Sequence, residues 1–306
     1  MAAITAAQVK ELRETSGAGM MDCKKALVEC DGDMKKAIDY LRENGLAKAA
    51  KKAGRIAAEG LVKLAFNADG TSAAAVEVNA ETDFVAKNEE FVQFVDDCAK
   101  LALEAECECM DKFMEMKMAD GTVKEVLTAK IAKIGENMNV RRIGKGNTPG
   151  CKYVGYVHAG GRIGVIIGLK TEATAEEVAV VGKDVAMQAA SMRPLYVDEA
   201  GVDPDYIAHE KEVLVAQAAN ESPDKPKEII EKMINGRLKK ELKEVCLVEQ
   251  KFVKNNDMSV KEYVDSVAKE IGKPIQVLEM IRFEVGEGLE KKEENFAEEV
   301  AKQMNM

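Results

Sequence analysis

The chain has 306 residues and carries 44 basic against 54 acidic side chains, a net charge of −10. That balance argues against general nucleic-acid binding, because phosphate contacts need Lys and Arg in excess. Apolar residues make up 46% and aromatic residues 5%, with no Trp, so the length suits two or three domains with cores of Ala, Val, Ile, Leu and Met, and the mixture favours helix over strand.

Seven cysteines, an odd number with no Cys-x-x-Cys pair, exclude a complete disulfide framework and fit a reducing cytosol. Neither the first residues nor any apolar run reads as a signal peptide or membrane span, so a cytoplasmic protein without membrane contact is expected.

In chain order, residues 1–45 read as three short helices. Thr5 is a plausible N-cap for 6–15, with Val9 and Leu12 on one face, and Gly17 and Gly19 then break the chain. Asp22 is expected to cap a second helix, with Ala26 and Leu27 inward. Asp33 is expected to cap a third, with Ala37, Ile38 and Leu41 inward and Gly45 as its stop. Residues 47–55 alternate small and basic side chains and read as a solvated, part-helical linker rather than a nucleic-acid patch, because their cations have no interleaved aromatics.

Residues 60–66 and 74–79 read as two strands around the hairpin signal Asp69-Gly70. A helix over 89–106 has Phe91, Phe94, Val95, Cys98, Leu101 and Ala102 at helical spacing. The Met- and Cys-rich run 104–121 reads as an extension of that helix packed on the core, with a soft, adaptable surface as the alternative. Strands over 153–158 and 162–169, joined by Gly160-Gly161, precede a helix opened near Thr174 and containing Val178, Val181, Val185, Met187 and Ala189. A hairpin followed by a helix, twice, suggests an internally duplicated α+β unit.

Two helical runs, 204–220 and 226–246, flank Glu221-Ser222-Pro223-Asp224-Lys225-Pro226, with Pro226 in the first turn of the second. Ile230, Ile234, Leu238, Leu242 and Val245 form a stripe, which reads as a projecting antiparallel helical hairpin. Residues 281–288 read as a strand closing on glycines, and 292–303 as a last helix with Phe296, Ala297 and Val300 on its apolar side.

Catalytic patterns are missing from the sequence. Its two histidines, His158 and His209, lack zinc spacing with a Cys pair, and Cys107-Glu108-Cys109 lacks metal-ligand spacing. The run from Ile143 to Thr148 does not satisfy a phosphate-binding loop, and Gly17-Ala18-Gly19 and Gly286-Glu287-Gly288 are too short for a dinucleotide fingerprint. The reading is therefore a non-enzyme without metal or cofactor. The segment Thr82-Asp83-Phe84-Val85-Ala86-Lys87-Asn88 sits between a strand and a helix. Phe84 either packs under its own loop, as most Phe do, or is presented outward on a rigid base. Asp83 is either an N-cap or a contact group, and Lys87 is consistent with simple solvation.

Five segments taken in order resemble the elongation factor Ts family: residues 12–27 (LRETSGAGMMDCKKAL), 81–88 (ETDFVAKN), 133–142 (KIGENMNVRR), 158–165 (HAGGRIGV) and 282–291 (RFEVGEGLEK). The resemblance implies an α+β fold in five parts. These are a ubiquitin-associated-like three-helix module with its linker over 1–54, duplicated core halves over 55–140 and over 141–203 with 247–280, a protruding antiparallel helical hairpin over 204–246, and a small C-terminal module over 281–306. It implies exchange of GDP for GTP on elongation factor Tu during translation elongation, with the partner met in its GDP-bound and nucleotide-free forms. It places Asp83 and Phe84, flanked by Thr82 and Val85, in the partner's nucleotide domain, with the ring wedged near the magnesium site. It further implies partner contacts at Lys10, Arg13, Met20 and Met21, at His158 and Arg162, and at Phe296 and Val300. Without a nucleotide motif of its own, such a factor acts through contacts with the GTPase. A non-catalytic helical scaffold, binding through the N-terminal module and the hairpin, is the alternative. Residues 104–121 match no family segment.

Overall fold

The computed structural model describes residues 4–106, 109–221 and 227–290. The fold mixes helix and sheet and divides into two units. One holds Met1–Lys63, Val76–Ile143 and Glu284–Met306, and the other Leu64–Ala75 and Gly144–Phe283.

In the first unit, helix α1 (Ala6–Ser16) opens on a reciprocal Thr5–Gln8 capping box and closes on Gly17, whose φ of 66° lets its N–H reach the Arg13 carbonyl. Helix α2 (Met20–Glu29) starts from Gly19, not Asp22, which lies in the first turn and pairs with Lys48 at 2.9 Å. Asp33 does cap α3 (Met34–Lys52), accepting from the N–H groups of Lys35 and Lys36. Leu12, Cys23, Ala26, Leu27 and Ala37 form the small core of these helices.

Gly45 does not end α3. It is buried within the helix, which continues to Lys52. The residues that follow, Leu46 to Lys52, are Leu, Ala and Lys, the strongest helix formers. The expected linker over 47–55 is thus mostly helix.

Strands β1 (Glu59–Phe66) and β2 (Ala73–Ala80) are joined by a turn in which Gly70 takes a φ of 69°. Every residue of β2 is buried. A single-turn helix α4 (Asp83–Ala86) leads into α5 (Glu89–Glu104), which buries Phe91, Phe94, Val95, Cys98 and Ala102. Burial pushes the Cys98 thiol up to about 12, so this cysteine is a packing residue.

The expected extension of α5 over 104–121 is not formed. Ala105 turns extended and buried, a separate helix α6 (Met110–Glu115) buries Phe113, and β3 (Lys117–Met118) pairs antiparallel with β4 (Gly121–Thr122). Helix α7 (Val123–Ile134) and strand β5 (Met138–Gly146) follow, neither of them anticipated. Thr122 and Glu125 make a capping box ahead of buried Val123, Leu127 and Ile131, a signal legible in the sequence. Helix α3 packs along α7, and β1, β2 and β5 form one sheet in the order β1-β2-β5.

In the second unit, β6 (Cys151–His158) and β7 (Ile163–Thr171) pair antiparallel from Cys151↔Lys170 to His158↔Ile163. Helix α8 (Ala175–Met192), capped by Thr174 and Glu177, lies on them and buries Val178, Val181, Val185 and Ala189. A side chain at Gly182 would come within 2.6 Å of Val154, so the absent Cβ sets this helix-to-sheet approach.

Helices α9 (Pro204–Glu221) and α10 (Lys227–Val245) run antiparallel. Tyr206, Ile207 and Leu214 pack with Leu238 and Leu242, and Arg237 pairs with Glu221 at 2.6 Å. Ile234, Leu238 and Leu242 of the expected stripe are buried. Pro226, and the final helix expected over 292–303 with Phe296 and Val300, lie outside the described residues.

Strands β8 (Lys251–Phe252) and β9 (Asn255–Ser259) and helix α11 (Val260–Ile271) complete a core with Leu247, Phe252, Val260 and Val264. The last strand, β10 (Ile275–Glu284), starts well before the expected residue 281 and gives a sheet of order β10-β7-β6. Among the described residues, no helix is long and apolar enough to cross a membrane.

Candidate functional site

The chain leaves β2 at Ala80 and reaches α4 through Glu81 and Thr82. Thr82, not Asp83, is the N-cap of α4, and its Oγ1 accepts from the Val85 N–H at 3.4 Å. A helix of four residues has too few internal bonds to persist alone; here it is held at both ends. Val85 and Ala86 are buried on its inner side. Asn88 ends the loop by capping α5, accepting from the N–H groups of Glu90 and Phe91.

Phe84 points outward from this short base. It is 80% exposed, the highest value of any large apolar side chain among the described residues. The packed-under reading of Phe84 is excluded in this structure. Asp83 carries a 2.7 Å ion pair with Lys87 one turn later, both side chains well exposed. Such a pair contributes little to stability and leaves the carboxylate accessible. Nearby, Lys133 of α7 donates to Glu90 at 2.6 Å and holds that carboxyl below its ordinary range.

In the same unit, Lys10 and Arg13 are exposed on α1, with Lys10 at 3.8 Å from Glu14. Met20 and Met21 are 58% and 75% exposed at the start of α2. In the second unit, His158 ends β6 and Arg162 precedes β7, both exposed. The Tyr156 hydroxyl lies 2.9 Å from His158 Nδ1, and between His158 and Arg162 the chain turns through Ala159, Gly160 and Gly161, all at positive φ.

A family model described as Elongation factor TS matches residues 81–287. Proteins named Elongation factor Ts from Clostridioides difficile (strain 630) and Clostridium novyi (strain NT) are 58% and 54% identical to this chain over 305 residues, which is 99% of the chain and 100% and 99% of the relatives. A third so named, from Clostridium perfringens (strain SM101 / Type A), is 53% identical over 300 residues, 98% of each. The chain belongs to the elongation factor Ts family.

Two features of this elongation factor Ts chain lie beyond what the sequence reading picked out. The first is Glu136, whose carboxylate accepts from the Thr82 N–H at 3.0 Å and from the Thr82 hydroxyl at 2.7 Å. The second is Glu77, fully buried in β2, which meets Arg141 at 3.1 Å, Arg142 at 2.6 Å, the Asn79 amide at 3.0 Å and the Gly286 N–H at 2.9 Å. Arg142 also reaches the Glu284 carbonyl and the Glu287 carboxylate, both at 3.2 Å. A side chain at Gly286 would lie 2.3 Å from the Ala58 carbonyl, and its φ is 71°. Five residues of the family segments, Arg141, Arg142, Glu284, Gly286 and Glu287, thus gather in one polar knot around the buried Glu77 carboxylate. The legible signal was a single Glu inside the apolar run of β2, since a buried carboxylate needs cationic partners.

Proposed function

We propose that this chain promotes GDP release from elongation factor Tu, with Phe84 as the wedge and Asp83 beside it, acting near the partner's magnesium and phosphate site. The carrying observation is an aromatic ring 80% exposed on a one-turn helix that is fastened on both sides. A Phe left in water forgoes the gain of burying its side chain, and such a ring recovers it when a partner pocket covers it.

The physics is linkage. A factor that prefers the nucleotide-free GTPase must weaken nucleotide binding by the same factor, and each tenfold takes about 1.4 kcal/mol of differential binding. No chemical step and no cofactor are required of the factor itself. Thr82 and Val85 frame the wedge. Lys10, Arg13, Met20, Met21, His158 and Arg162 supply further contacts to the partner in its GDP-bound and nucleotide-free forms, and Phe296 and Val300 add theirs from the C-terminal segment. In this reading 1–54 acts as a ubiquitin-associated-like module, 55–140 and 141–203 with 247–280 as duplicated core halves, 204–246 as a protruding hairpin, and 281–306 as a docking module. The site of action is the cytoplasm, where translation takes place.

The test is release of a fluorescent GDP from purified elongation factor Tu at saturating factor. Phe84→Ala is expected to slow the stimulated rate roughly thirtyfold, the effect of about 2 kcal/mol at a binding hot spot. An unchanged plateau rate would remove the wedge role. Binding without any acceleration by the wild-type chain points instead to a scaffold.

A further inference from the structure

Helix α4 presents Phe84 but has little of its own to hold it there. With four residues it lies far below the length at which a helix persists in water, and the ring it carries contributes almost no burial. Its inner side rests on Val85 and Ala86. Its entry side rests on Thr82, whose N–H and hydroxyl both end on one carboxylate, that of Glu136, at 3.0 and 2.7 Å.

Glu136 is itself held. It follows Gly135, which closes α7 at a φ of 90° and whose carbonyl accepts from the Lys52 ammonium. It precedes Asn137, whose N–H donates to Glu81 at 2.6 Å and whose amide donates to the Arg55 carbonyl at 2.7 Å. Two carboxylates therefore cross-brace two adjacent stretches of chain. Glu81 holds the loop after α7, and Glu136 holds the turn before α4. Hydrogen bonds to a charged acceptor are about twice as strong as neutral ones, and the hydroxyl that donates to Glu136 is the one that caps α4.

We infer that Glu136 is a positioning residue for nucleotide exchange: by fixing the Thr82 cap it pre-orders α4 so that Phe84 is held outward before the partner arrives. An ordered wedge spares the complex the cost of immobilising the loop on binding. Loss of the brace lets α4 fray and the ring fold back onto neighbouring apolar surface. The inference rests on the exchange reading above, and its test separates the two.

The experiment is a double-mutant cycle on the full chain, with fluorescent-GDP release from elongation factor Tu at saturating factor as the readout and thermal unfolding of each variant alongside. Glu136→Ala is expected to slow release roughly tenfold, the worth of one charge-assisted hydrogen-bonded contact, and to slow it no further in a Phe84→Ala background. Glu136→Gln, which keeps one acceptor, is expected to fall between. Because the chain has no Trp, Phe84→Trp adds a single indole whose time-resolved anisotropy reads local order without the partner. That anisotropy is expected to fall when Glu136→Ala is added. Equal slowing in both Phe84 backgrounds, no slowing in either, or unchanged anisotropy overturns the inference. A wild-type chain that fails to accelerate release sinks the exchange reading; in that case a fall in anisotropy upholds the brace and no fall overturns it.

Discussion

At the residue scale, the knot around Glu77 shows how charge can hold a fold without being its main source of stability. A carboxylate taken fully out of water loses several kcal/mol of hydration, and the guanidinium groups of Arg141 and Arg142, together with the Gly286 and Asn79 donors, return it only while all are in place. Removing one partner is therefore worse than never having had the set. Glu77→Ala is expected to lower unfolding stability by about 3 kcal/mol, because it removes at once the carboxylate that faces Arg141 and Arg142 and the acceptor of the Asn79 amide and the Gly286 N–H. Denaturant titration measures it, and a loss below about 1 kcal/mol would mean that water repairs the gap. Phe84 makes the opposite case. Its exposure means that truncation should leave unfolding stability nearly unchanged, so any kinetic effect of Phe84→Ala reports on the partner and not on folding.

At the element scale, α3 is the instructive helix. Gly45 costs helix propensity of about 1 kcal/mol relative to Ala, and it sits where α3 packs on α7, with the position of an added Cβ 3.7 Å from the Ala132 Cβ. That distance is ordinary contact. Gly45→Ala is therefore expected to stabilise the chain by about 0.5–1 kcal/mol, whereas Gly45→Leu is expected to destabilise it by wedging the two helices apart. Unfolding midpoints of the two variants should move in opposite directions, and a destabilised Gly45→Ala would show that the contact has no room. The same glycine explains what was legible in the chain and what was not. Local signals were readable where they act locally: Thr5, Asp33 and Thr174 each cap the helix they announce, and the β6–β7 pair turns at its glycines. Gly45 reads as a stop because glycine usually is one, but the helix formers after it and the surface of α7 keep the helix going. Residues 104–121 failed in the opposite way, since a run of helix formers hid the break at Ala105. For the candidate site, the sequence showed Phe84 as an unexplained aromatic but left its direction open. Glu136, its support, lies 54 residues from Thr82, beyond any periodicity or capping rule.

At the scale of the whole molecule, the contact residues proposed here differ in kind. Phe84 is one rigid ring on a braced turn, whereas Met20 and Met21 are two exposed, unbranched side chains at a helix start. A side chain that disturbs the nucleotide site changes how fast GDP leaves once the complex has formed. One that only adds buried area changes how much factor is needed to form it, and leaves the rate within the complex alone. Methionine adapts its shape to a partner and contributes through apolar burial. Exchanging both for serine should forfeit on the order of 1.5 kcal/mol of binding, about tenfold in affinity. The Met20→Ser, Met21→Ser chain is therefore expected to need about ten times more factor for half-maximal GDP release and to reach a plateau within about twofold of wild type. Phe84→Ala is expected to show the reverse, a lowered plateau with a smaller change in the half-saturating concentration. Rate-versus-concentration curves for the two variants decide the matter. If the methionine variant loses its plateau while keeping its half-saturation point, the N-terminal helices take part in displacing the nucleotide, and the division between wedge and affinity patches is wrong.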